Sequence, residues 1–145
     1  LLKTASKKER DNWLGELEIG IQWSTEVTLV DELFVSQAYC SAMPVAYSQY
    51  SSDEWEEFAR FVLDGAYEAT VLAAVQNRVE NGSNILCLTL LGGGAFGNHS
   101  QWIYDSILRA IMLVKDAGLD IRIISYGNSQ SVVRELIEEY ELNSN

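Results

Sequence analysis

The feature that most constrains this chain is ILCLTLL (85–91), a run of seven residues without polar alternation that empties into GGGAFGN (92–98). A run of that kind suits a strand at the centre of a sheet, covered on both faces. The three consecutive glycines that follow are costly to order, because glycine loses more backbone entropy on folding than any other residue. The backbone there must bend sharply or be approached closely.

The segments around this run repeat a strand–helix order. LFVSQAYCSAM (33–43) reads as a strand stopped by Pro44. Ser51, with Glu54 three residues on, has the form of a capping box and opens a long helix that Asn81-Gly82 closes. Trp55, Phe58, Val62, Ala66, Ala69 and Ala73 form one apolar stripe on it, and Leu63, Tyr67 and Val71 a second beside it. After the glycines, a helix from about Ser100 to Ala117 turns Trp102, Ile103, Ile107, Ala110, Ile111 and Val114 inward, with Gly118 as its stop. LDIRIISY (119–126) is a strand, Gly127-Asn128 a turn, and Ser131 to Leu142 a terminal helix. This order predicts a single α/β domain with a mixed, largely parallel sheet flanked by helices. Upstream, Thr4 to Leu14 reads as a short helix ended by Gly15, and 17–30 as a hairpin turning near Ser24 and Thr25.

In open sheets of this type, ligands bind beyond the carboxyl ends of the strands. The loops expected there are Ser41 to Tyr50, Gly92 to Ser100 and Tyr126 to Ser129. A loop passing from a strand to a helix N-terminus presents unpaired N–H groups and a partial positive charge. Four glycines within six residues, Gly92 to Gly97, strip away the Cβ atoms that would hold an oxyanion off. The loop therefore predicts a site for phosphate or diphosphate, the alternative being a tight strand-to-helix turn. It is neither a P-loop, lacking the closing Gly-Lys-Ser/Thr, nor a dinucleotide fingerprint. Phe96 either packs inward or offers its ring to a sugar or base. Asn98 is either the cap of the next helix or a ligand contact. Tyr126 either stacks on an aromatic ligand or is a plain surface tyrosine, and the small residues Ser41 and Ala42 before Pro44 either keep the neighbouring loop open beside a ligand or form a structural turn. His99, the chain's only histidine, shares the loop but shows no partner to orient it as a base.

Charge narrows the partners. The 145 residues carry a net charge of −11, which argues against nucleic acid and against an anionic membrane. Lys3, Lys7, Lys8 and Arg10 form the one basic cluster, read as a solvated first helix. Cys40 and Cys87 sit in apolar runs, as buried reduced thiols of an intracellular, cytoplasmic protein do. One histidine and two distant cysteines make no zinc signature, so neither metal nor cofactor is expected. The chain opens on Leu1 rather than Met, as a piece of a longer protein would.

GGGAFGN after an apolar strand, followed by a helix, a strand ending in an aromatic and a last helix, resembles the C-terminal half of macro domains, over about residues 33–142. Within that family it is most similar to the modules related to poly(ADP-ribose) glycohydrolases. The resemblance implies that Gly92, Gly93, Gly94, Ala95, Phe96, Gly97 and Asn98 hold the diphosphate and ribose of ADP-ribose, free or on a modified protein. It also implies that Tyr126 faces the adenine, and it likens Ser41-Ala42 to the family's small-residue and proline loop. The family's acidic adenine contact, its Asn-containing loop and its Gln-Glu-Glu triplet have no counterpart here. Glu56-Glu57 and Glu138-Glu139 lie on helices and read as solvated faces. The catalytic acid of a glycohydrolase is thus not recognisable in this chain. The readings left are an ADP-ribose-binding module or part of an enzyme, and an interaction domain that keeps the fold without a ligand.

Overall fold

The computed structural model describes residues 2–128 and 131–144. After a short 3-10 turn at Leu2–Thr4, the elements are α1 (Lys7–Gly15), β1 (Gly20–Glu26), β2 (Phe34–Tyr39), α2 (Ser52–Asn81), β3 (Ile85–Thr89), α3 (Ser100–Leu113), β4 (Asp120–Ile124) and α4 (Ser131–Ser144). The chain is mixed α/β, with small sheets flanked by helices.

Helix ends follow local chemistry. The Glu54 carboxylate accepts from the Ser51 amide at 3.0 Å and hydroxyl at 2.9 Å, and Gly82 closes α2 at φ +77. Ser6 and Glu9 repeat the capping box at α1. The apolar face of α3 is buried as the spacing predicts, from Trp102 through Val114. On α2 the second stripe wins: Leu63, Tyr67 and Val71 are buried with Ala59 and Ala66, whereas Phe58 is 43% exposed. Polar pairs bind α2 to α3 as well: the Ser106 hydroxyl donates to Asp64 at 2.6 Å, and Arg60 meets Asp105 at 2.7 Å.

The sheet departs from expectation. β3 and β4 pair in parallel, with Ile85 opposite Asp120 and Thr89 opposite Ile124. β2, expected as a third member of that sheet, instead pairs antiparallel with β1, and with no other strand among the described residues. The turn of that hairpin lies at residues 27–33, closed by the Val27 amide on the Leu33 carbonyl at 2.8 Å. Ser24 and Thr25, expected as the turn, lie within β1: Trp23 and Ser24 oppose the single Ser36 as a bulge, with Ser24 at φ +50, and Thr25 pairs with Val35. β3 is not covered on both faces either. Leu86 and Leu88 are buried and Ile85, Cys87 and Thr89 are exposed. Cys87 is therefore an exposed thiol rather than a buried one, while Cys40 is half-buried, and both are free.

Candidate functional site

The loop after β3 and the loop after β2 meet at the carboxyl ends of their strands. Leu91 leads into Gly92 at φ +77, a 3-10 turn spans Gly94–Phe96, and Gly97 at φ +71 ends it. Opposite lies a second 3-10 turn, Val45–Tyr47, set up by Pro44.

Two of the glycines are explained by this contact. A Cβ on Gly92 would stand 2.3 Å from the Ala42 Cβ and 2.7 Å from the Asn98 side-chain nitrogen. One on Gly97 would stand 2.7 Å from the Ala46 Cβ. Both lie at positive φ, where a side chain is strained in any case. Gly94, also at positive φ, has open space around its Cβ position. The expectation that every glycine clears room for an oxyanion is thereby narrowed. Gly92 and Gly97 make room for the neighbouring loop, and the exposed face of the turn is Gly93, Gly94 and Ala95.

Asn98 is not the helix cap. His99 holds that position, and its ring stacks on Trp102 with centroids 4.5 Å apart. Asn98 is buried and turned inward: its amide donates to the Met43 carbonyl at 2.7 Å and to the Gly92 carbonyl at 3.2 Å. Its Oδ1 has no partner among the described residues. Phe96 packs against the core and meets the Tyr47 ring edge-on at 6.0 Å. Ala42 is buried under Gly92, and the exposed Ser41 donates its hydroxyl to the Ala42 carbonyl at 3.1 Å. Tyr126 follows β4 at the same sheet end, fully exposed. Of the expected loop Tyr126 to Ser129, Ser129 lies outside the described residues.

Tyr67, which the sequence offered only as a core residue, proves to be the anchor of the loop. Its hydroxyl donates to the Thr89 carbonyl and accepts the Leu91 amide, both at 2.8 Å, so the phenol fixes the point where β3 ends. Burial pushes its ionisation well above the ordinary tyrosine range, and it stays a neutral donor.

Electrostatically the two loops are an island. No charged residue occurs in 34–52 or in 81–104. Among the described residues, the amides of Gly94 and Ala95, and of Ser100 and Gln101 at the start of α3, have no hydrogen-bond partner. The arrangement offers an anion backbone donors and a helix N-terminus; the first carboxylate on that helix, Asp105, accepts from the Gln101 side chain at 2.8 Å and is paired with Arg60. The glutamate pairs stand apart from it: Glu57 is bound by Arg10 at 2.7 Å, and Glu138 and Glu139 are exposed on α4. No group of three or more His, Cys, Asp or Glu side chains is placed to hold a metal ion among the described residues.

Comparison with protein families, with curated protein sequences and with solved structures found no match to this chain.

Proposed function

We propose that the Gly93–Ala95 turn and the start of α3 bind the diphosphate of ADP-ribose or a related nucleotide. The observation that carries this reading is the set of amides at Gly94, Ala95, Ser100 and Gln101 that are unpaired among the described residues, in a stretch, 81–104, without a charged residue. Tyr126, exposed at the same sheet end, is available to stack on a base. Gly92 and Gly97 shape the loop, and the ligand meets the residues between and after them. The reading is one of binding, because a catalytic acid is not recognisable in the sequence of this chain.

A second reading is supported by the close approaches of Gly92 to Ala42 and of Gly97 to Ala46. Packing accounts for those two glycines without a ligand, as in an interaction domain that retains the fold.

The thermal midpoint with millimolar ADP-ribose, AMP or inorganic phosphate separates the two. A ligand at about 100 times its Kd stabilises by about 2.7 kcal/mol, a shift of several degrees at this size. A shift with ADP-ribose that exceeds the shift with AMP, and that A95D removes, supports the binding site. No shift with any of the three overturns it in favour of the second reading.

A further inference from the structure

The strands that fail to form one sheet still point the same way. β2 runs into Ala42 and Met43, which touch Gly92 and Asn98 beyond the end of β3. At the opposite end, Ser36 of β2 bonds Asn77 near the close of α2, directly before β3 begins. β2 and β3 are thus parallel, each hydrogen-bonded to one neighbouring strand among the described residues. Between them lies a groove of about 980 Å³ with α2 as its floor, through Tyr67, Thr70, Ala74 and Asn77. Consecutive residues of both strands line it, Val35 with Ser36 and Leu86 with Cys87, although successive side chains in a strand point to opposite faces. Its walls therefore include the edges of β2 and β3, and Ile21, Trp23 and Ser24 of β1 line it as well. None of its lining side chains is charged, in a chain of net charge −11.

Unpaired edges are templates for another strand, and a parallel pair exposed at its edge is unusual. From this geometry we infer that the groove takes one extended peptide segment from outside residues 1–145. It adds as a β-strand between β2 and β3 and joins the two pairs into one sheet. Its backbone bonds to both edges. Its side chains are uncharged, and those facing α2 are apolar. A second copy of this chain fits less well, because its four strands are already paired among the described residues. One end of the groove opens at Leu91, next to the glycine loop. The inference does not rest on ligand binding there.

The two cysteines both line the groove, so the chain carries its own reporter of occupancy. The test selects binders from a displayed library of random seven-residue segments, then adds the synthetic peptide to the chain. Mass spectrometry follows the labelling of Cys87 by a thiol reagent, and amide exchange follows β2 and β3. The expected result is enrichment of uncharged, β-branched or aromatic segments that slow Cys87 labelling at least tenfold and protect amides on both strands. A charge on the groove floor, in A73D, abolishes the binding. Should that variant lose its near-ultraviolet circular dichroism, amide exchange in the unsubstituted chain decides alone. No enriched peptide, or a peptide that leaves either strand's exchange unchanged, overturns the proposal. So does protection of both edges in the chain alone, whether it is monomeric, with the edges paired directly, or dimeric, with a second copy in place.

Discussion

The side-chain amide of Asn98 donates to the main-chain carbonyl of Met43 at 2.7 Å, joining two loops 55 residues apart in the chain. The same nitrogen reaches the Gly92 carbonyl, so one buried side chain holds both ends of the glycine loop and the loop opposite. Removing it leaves the Met43 carbonyl without this donor. The expected cost of Asn98→Ala is about 1–3 kcal/mol. Urea unfolding measures it, and an unchanged midpoint with an unchanged slope would mean that the loops are held by other contacts.

The glycines are expected to differ sharply in what alanine costs them. Gly94→Ala adds a methyl group in open space at φ +66, so it costs only the strain of that backbone region, about 1–2 kcal/mol. Gly92→Ala adds the same strain and a 2.3 Å clash with the Ala42 Cβ, so it costs more. Combining it with Ala42→Gly removes the clash partner and recovers part of the loss, although the Asn98 contact remains. Unfolding of the four variants tests this as a double-mutant cycle. A zero coupling energy between positions 42 and 92 would contradict the contact.

How much of this was legible in the sequence depends on the range of the signal. The capping box at Ser51, the Gly82 stop and the buried face of α3 are set within one or two helical turns, and the sequence displayed them. The parallel pairing of β3 with β4 followed from one intervening helix. The neighbour of β2 was not legible, because LFVSQAY is equally suited to a hairpin and to a parallel sheet, and only long-range packing decides between them. The contacts of Gly92 with Ala42 and Gly97 with Ala46 left no local trace beyond the glycines themselves. Nor did the role of Tyr67: its place in an apolar stripe is identical to that of a residue that merely fills space.

Across the helix interface, burial predicts which polar pair matters. Ser106 is 1% exposed and donates to Asp64 at 2.6 Å. Ser106→Ala is expected to destabilise by about 1–2 kcal/mol, because a carboxylate loses a buried donor. Arg60 and Asp105 are as close, at 2.7 Å, but their side chains are 32% and 40% exposed, and breaking that pair with Arg60→Met is expected to cost about 0–1 kcal/mol. Thermal unfolding of the two variants side by side checks the order; the reverse order would place the weight on the surface pair.

The last prediction concerns alkaline pH. Burial, opposed in part by the hydrogen bond from Leu91, holds the Tyr67 phenol far above the usual tyrosine value of about 10. In the unfolded chain that phenol ionises near its ordinary value, whereas in the folded chain it keeps its proton. The folded state then binds more protons, so the stability this group contributes is fully present below about pH 10 and falls as pH rises above it. The slope from one such group approaches about 1.4 kcal/mol per pH unit. Tyr67→Phe removes that component, and it also removes the hydroxyl that the Leu91 amide and the Thr89 carbonyl share. The variant is therefore expected to be less stable than the parent at pH 7, by about 1–3 kcal/mol. Its urea midpoint is also expected to fall less steeply than the parent's between about pH 10 and 11. Cys40, whose thiol burial also pushes up, is common to both chains and cancels in the comparison. Parallel alkaline slopes in the two proteins would show that the Tyr67 phenol ionises in the folded state as freely as in the unfolded one, and its role as the neutral anchor of the β3 end would fall with that result.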